Sequence, residues 1–151
     1  MGKRHVHSGQ AMVEFAIVLT LMLLVIFGGV TFIQYVGSQY AIAQAARNAA
    51  HVAALRGSTG GLPDNQWVSL ASAPGPVAHS VRDTFAGSPF VTVADAEIRA
   101  TCATSPCRRY SNITISIRYS AQAWTPFPGI PNPIRLSADA ARTAEQDSQD
   151  E

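Results

Sequence analysis

The chain has 151 residues, which is enough for one modest domain and too few for two independent cores. Its 11 Lys and Arg against 10 Asp and Glu give a net charge of +1, which argues against a nucleic-acid binder because such proteins usually carry a basic face. Charged residues make up only 14 % of the chain, against roughly 25 % in soluble domains. With 47 % apolar residues, 11 Gly and 2 Cys, disordered, collagen-like and disulfide-framework classes are excluded.

The shortage of charge is concentrated near the N-terminus. After a short basic segment, Met1 to Gly9, residues Gln10 to Arg56 predict one long helix, and no Asp, Glu, Lys or Arg occurs from Phe15 to Ala46. The stretch from Phe15 to Ile33 covers about 28 Å at ~1.5 Å per residue, close to the ~30 Å of a bilayer's hydrocarbon core. We therefore predict that this stretch spans a membrane.

The second half of the predicted helix has a different character. It is rich in Ala, the best helix former, and ends at Gly57, which is followed by further Gly and by Pro63. Small residues recur on one side at helical spacing, which predicts close packing against a sheet or another helix. These residues are Ile42, Ala45, Ala46, Ala49 and Ala53.

We predict that residues 57–151 fold into a small α+β domain after the long helix, which we call the head. Leu62 to Pro76 is expected to be a loop, and Pro76 to Ala86 a short amphipathic helix. Strands are expected at Phe90–Cys102, Asn112–Trp124 and Ile134–Ala140. The second strand has strict alternation of Ile113, Ile115, Ile117 and Tyr119 with polar residues, which predicts one buried face. The Pro-rich Trp124–Pro133 segment is excluded as a central strand, and the acidic tail from Glu145 is expected to fray. The fold class is thus α+β: a long N-terminal helix and about three antiparallel strands.

The N-terminal segment allows three interpretations. A cleaved secretory signal would use Ala41-Ile42-Ala43, but the apolar run is longer than the usual ~7–15 residues and this site lies well beyond it. The second interpretation is an uncleaved membrane anchor. The third is a prepilin-type leader that ends at Gly9.

The third interpretation rests on the residues from Ser8 to Leu24 and on the Ala-rich run from Tyr40 to Gly57. Here the sequence resembles the TadE-like pseudopilins of the Tad (Flp) pilus system, which are pilin-like proteins with a long N-terminal helix. The resemblance implies cleavage after Gly9 by a prepilin peptidase, with Gln10 as the new N-terminus, Glu14 as its fifth residue and Phe15 as its sixth. It also implies that Glu14 pairs with the new amine, within one subunit or between neighbours.

Glu14 also has a simpler explanation. Its carboxylate can lie among lipid headgroups and stabilise the start of the helix, where the helix dipole favours an anion. Lys3 and Arg4 favour a cytoplasmic N-terminus, so the head is expected on the periplasmic or outer side of a bacterial inner membrane. The expected partners are the membrane, prepilin peptidase, other pilin-like subunits and the pilus assembly platform, with no nucleic acid.

The chemistry expected in the head is limited. Cys102 and Cys107 are predicted to form a disulfide if the head is exported, with free thiols as the alternative; two Cys with no nearby His are too few for a zinc site. Two pairs of polar residues are considered as catalytic candidates, and neither forms a catalytic arrangement. They are His79 beside Ser80, and Asp95 with Glu97 on one strand face.

We therefore predict no enzyme activity, no metal and no cofactor. The expected function is that of a structural, minor pilin-like protein. The alternative is an unprocessed, membrane-anchored binding domain of the cell envelope.

Overall fold

A computed structural model describes residues 8–104, 107–124 and 132–145. The first element is a continuous helix, α1 (Ser8–Arg56), followed by a two-residue strand, β1 (Val68–Ser69), and a second helix, α2 (Gly75–Ala86). A single 3-10 turn (Val93–Asp95) leads into three longer strands, which are β2 (Ala96–Cys102), β3 (Asn112–Ala121) and β4 (Ile134–Thr143).

The sheet is antiparallel throughout, with strand order β1-β2-β3-β4. Each strand pairs with the next one in the chain, and the connection from β1 to β2 contains α2 and the 3-10 turn. The predicted α+β class, with a long N-terminal helix and a small antiparallel head, is confirmed. The sheet has four strands, however, and not three. The additional strand is β1, which lies in the predicted loop and pairs Val68 with Ile98.

The N-terminal part of α1 packs on nothing in the described chain. From Gln10 to Phe27 every residue is exposed, and the large apolar side chains point outward all around the helix. Thr20 Oγ1 and Thr31 Oγ1 each donate to a carbonyl one turn earlier, at 2.8 and 2.9 Å, so these hydroxyls are satisfied without water. This part of α1 is long and apolar enough to cross a membrane.

The second part of α1 forms the centre of the head. The predicted stripe of small residues is buried there, since Ile42, Ala45, Ala46, Ala49 and Ala53 all have zero exposure. The stripe packs against the inner face of the sheet, where Ile113, Ile115 and Ile117 are also fully buried. Because the stripe consists mainly of Ala, the helix backbone can approach the sheet closely.

Helix α2 covers the remaining side of this core. Its buried residues include the predicted Val77, Val81 and Phe85. Gly75, at its first position, has a φ of +88°, and a Cβ there would overlap the carbonyl of Gly60. Only glycine fits at this point, where two backbone segments meet.

All three strand predictions need correction, and the third strand, β4, runs to Thr143, three residues beyond the predicted Ala140. Phe90–Thr92 is not part of β2, and Val93–Asp95 is a 3-10 turn. The reason is that the Phe90 carbonyl accepts a hydrogen bond from Ser38 of α1, at 2.8 Å, and not from a strand. Strand β3 also ends at Ala121, three residues before the predicted end. The basic segment before Ser8, most of the Pro-rich segment and the tail after Glu145 lie outside the described residues.

Candidate functional site

The residues predicted around the processing site lie at the beginning of α1. Gln10 Nε2 donates to Glu14 Oε1 at 3.2 Å, and both residues are exposed. The ring of Phe15 is exposed as well. The structure thus brings Gln10 and Glu14 together on adjacent turns of the helix, where side chains four residues apart are neighbours.

The start of α1 bears on how Glu14 is interpreted. The helix begins at Ser8, two residues before the predicted start, so the Gly9–Gln10 peptide bond lies in its first turn. Glu14 lies beyond that turn, and the dipole effect on a charge falls off within the first turn. Stabilisation of the helix start is therefore a weak explanation for Glu14.

A second group of residues, which was not predicted from the sequence, joins α1 to the head. Gln34 is 3 % exposed, and its amide makes two hydrogen bonds to one backbone segment. Its Nε2 donates to the carbonyl of Gln122 at 2.6 Å, and its Oε1 accepts from the N–H of Trp124 at 2.9 Å. One side chain therefore holds the segment that follows β3.

An aromatic contact lies beside this pair of hydrogen bonds. The ring of Phe90 packs over Gly37 so closely that a Cβ at residue 37 would be 2.7 Å from it. Trp124 stacks on Phe90 with 6.2 Å between ring centroids and 18° between planes. We call Gln34, Gly37 and Ser38, together with Phe90 and Trp124, the junction.

A signal for the junction was present in the sequence. Thr31, Gln34 and Ser38 continue the buried stripe toward the N-terminus at spacings of three and four, and all three are buried. Polar residues at stripe positions inside an apolar helix indicate hydrogen bonding to another segment. Only the structure identifies that segment.

The two cysteines lie at the opposite end of the head from the junction. Cys102 ends β2 and is joined to Cys107 by a disulfide, with 5.7 Å between the Cα atoms. The ladder from β2 to β3 continues past it, since the N–H of Ala103 donates to the carbonyl of Asn112 at 3.0 Å. The bond therefore closes the β2–β3 connection beside its last strand pair.

The outer face of the sheet carries a further arrangement that was not predicted. Two guanidinium groups lie over the ring of Trp67, with Arg118 at 3.9 Å and Arg99 at 4.6 Å from its ring centroid. Ser116, the cross-strand neighbour of Arg99, is buried although the alternation places it on the outer face.

The titratable residues singled out in the head remain separate. His79 Nδ1 lies 2.8 Å from Asp83 Oδ2 in an exposed pair on α2, whereas Ser80 Oγ donates to the carbonyl of Val77. Asp95 is in the 3-10 turn, where it accepts from Thr92 Oγ1 at 2.6 Å, so it does not share a strand face with Glu97 as predicted. Within the described part of the chain, no three His, Cys, Asp or Glu residues group as a metal site would require.

Comparison with known proteins bears on the helix. Residues 9–51 match the family model described as TadE-like protein. The N-terminal part of this chain is similar to TadE-like proteins. The predicted resemblance is confirmed over this segment, which begins at Gly9 and includes Gln10, Glu14 and the helical part of the junction. The TadE-like match and the apolar helix together indicate a membrane-anchored protein associated with a Tad pilus. Neither the curated proteins nor the solved structures gave a match to this chain.

Proposed function

We propose that this chain is a minor pilin-like protein, a pseudopilin, that takes part in the assembly of a Tad/Flp-type pilus after a prepilin peptidase has cut the bond that follows Gly9. The observation that carries the proposal is the TadE-like match, which begins at Gly9 itself. A second support is the contact between Gln10 and Glu14, because the residue that would become the N-terminus already lies beside the carboxylate.

The mechanism is helix packing and charge pairing. Cleavage creates a positive amine on Gln10, and the Glu14 carboxylate pairs with it in the same subunit or in a neighbour. An acidic side chain near lipid is costly to bury alone, so this pairing favours one register between adjacent helices. The exposed apolar surface from Phe15 to Phe27 supplies the packing area. The chain thus acts as a structural component, and its partners are the peptidase, other pilin-like subunits and the assembly platform.

The proposed location is a bacterial inner membrane, crossed once. Lys3 and Arg4 favour retention of the N-terminus in the cytoplasm, which places the head on the periplasmic or outer side. A disulfide between Cys102 and Cys107 agrees with this orientation, since disulfides persist in oxidising compartments.

One observation favours the alternative of an unprocessed anchor. The Gly9–Gln10 bond lies inside the first turn of α1, and a peptidase that binds an extended backbone must unwind that turn. The first N–H groups of a helix have no partner within it, which keeps the cost of unwinding low. If the turn does not unwind, the head is a membrane-anchored binding domain.

N-terminal sequencing of the protein from membranes separates the two functions. With an active prepilin peptidase we expect the protein to begin at Gln10, and with an inactive peptidase at Met1. The variant Gly9→Val should block the cut, whereas Gly2→Val, a matched change in the same basic segment, should not. A protein that begins at Met1 beside an active peptidase contradicts processing and favours the unprocessed anchor.

A further inference from the structure

Uncharged segments meet at the end of the head that is nearest the exposed half of α1, and the closest charge on β4 is Arg135, which pairs with Ser120. Three described segments meet there, namely the helix from Phe15 to Ala46, the connection from Thr84 to Ala94 and the chain from Tyr119 to Trp124. None of the three contains Asp, Glu, Lys or Arg. Phe90 belongs to the second segment and Trp124 to the third, so the junction lies where all three meet. An uncharged surface of this kind can approach lipid without a large desolvation penalty.

The position of this surface along α1 is fixed by Gln34. The stretch from Phe15 to Ile33 has the length of a hydrocarbon core, so Gln34 lies at the level where that core ends. Both hydrogen bonds of the Gln34 amide go to the segment Gln122–Trp124. The backbone of Trp124 is therefore held beside α1 at the depth of the lipid headgroups.

The side chain of Trp124 is held in place and yet open to its surroundings. It stacks on Phe90, and Phe90 in turn is fixed over Gly37 and through the hydrogen bond from Ser38. Trp124 nevertheless remains 61 % exposed. Tryptophan is enriched at membrane interfaces because its ring is apolar while its indole N–H can bond to headgroups or water.

We propose that the junction end of the head rests on the bilayer and that the Trp124 indole lies in its headgroup layer. The proposal relies on the membrane anchor of the proposed function and adds a second membrane contact to it. Because the head is packed on α1, this contact sets the depth of the helix in the membrane. A lipid surface is favoured as the occupant because the surface is continuous with the membrane-spanning part of α1.

The two tryptophans of the chain allow a direct test. Trp67→Phe leaves Trp124 as the only Trp, and Trp124→Phe leaves Trp67. Trp67 is next to Val68, which pairs with Ile98, and Ile98 pairs with Ile117 of β3. Ile117 is five residues from Gln122, or about 16 Å at ~3.3 Å per residue, so Trp67 is the matched control away from the membrane. Each full-length variant is reconstituted at low density in phosphatidylcholine vesicles, and co-flotation with the vesicles is measured first.

Quenching by brominated phosphatidylcholine gives the depth. We expect Trp124 to lose more of its emission to lipids brominated near the headgroup than to lipids brominated near the chain ends, and Trp67 to lose little to either. Circular dichroism verifies that both variants fold. If the protein floats with the vesicles but Trp124 is quenched no more than Trp67, the proposal is wrong while the anchor stands. If emission from Trp124 changes with protein density and not with bromination, a neighbouring subunit covers it, which also overturns the proposal. Failure to float would instead contradict the anchor itself, whichever residue begins the chain.

Discussion

The N–H of Trp124 donates to Gln34 Oε1 at 2.9 Å across a sequence separation of 90 residues. The other end of the same amide donates to the carbonyl of Gln122. A single side chain of α1 thus satisfies two backbone groups of the connection that leaves β3. This relationship links the exposed part of the helix to the sheet and makes Gln34 the most informative residue to change.

We expect Gln34→Ala to destabilise the head by about 1–3 kcal/mol, because it leaves the Trp124 N–H and the Gln122 carbonyl without their partner. Denaturant unfolding of the protein in detergent, followed by circular dichroism, measures the change. Gln39→Ala is the matched control on the same helix. Its exposed amide donates to the Ser137 carbonyl at 3.3 Å, and its loss should change stability by no more than about 0.5 kcal/mol. Equal effects of the two changes would contradict the role of Gln34.

Gly37→Ala tests the contact with Phe90. The new Cβ would lie 2.7 Å from the ring, and we expect a loss of about 1–3 kcal/mol from overpacking. Gly29→Ala on the same helix meets nothing within 4 Å and should be neutral or slightly stabilising. In the double variant with Phe90→Leu, part of the loss should be recovered, because the two residues are in contact. Strictly additive losses would argue against this contact.

Removal of the disulfide with Cys102→Ser and Cys107→Ser should lower stability by about 2 kcal/mol, the amount expected for so short a loop. The measurement is denaturant unfolding, with the oxidised wild type as reference. Intact mass with and without reductant provides the control, since reduction adds two hydrogen atoms to an oxidised protein. An exported protein whose mass does not change on reduction would have free thiols.

Glu14 tests the proposed charge pairing. Glu14→Ala and Glu14→Gln should both leave cleavage after Gly9 intact and both reduce assembly, since neither side chain carries the negative charge that pairs with the new amine. Gln10→Ala is the control, because it removes the side-chain hydrogen bond to Glu14 but keeps the amine. Crosslinking of subunits in membranes measures assembly. If Glu14→Gln assembles like wild type, a hydrogen bond is sufficient and the charge has no role.

The sequence predicted the elements whose pattern is local. The Ala stripe of α1, the apolar residues of α2 and the alternation through Ile113, Ile115 and Ile117 repeat with the period of their element, so burial followed from spacing. The TadE-like family model matches the same helix that was predicted from the absence of charged residues between Phe15 and Ala46.

The parts that were missed depend on distant residues. Strand β1 is two residues long, too short for alternation, and exists because Val68 and Ser69 pair with β2. Phe90 begins a segment that was predicted as a strand. Its carbonyl, however, accepts a hydrogen bond from Ser38 of α1, 52 positions earlier in the chain. The junction likewise depends on contacts between residues far apart in the chain, which no local pattern encodes.

Because α1 is continuous, the thickness of the bilayer affects the position of the far end of the head. The helix runs about 33 Å from Gln34 to Arg56 at ~1.5 Å per residue, and its buried side is packed against the sheet, α2 and the junction. A thinner membrane is accommodated by tilting the helix, and a tilt of about 10° moves the Arg56 end sideways by about 6 Å. The edge of the head that carries the Cys102–Cys107 loop shares that displacement, so partners bound there would meet it at a position that depends on the surrounding lipid.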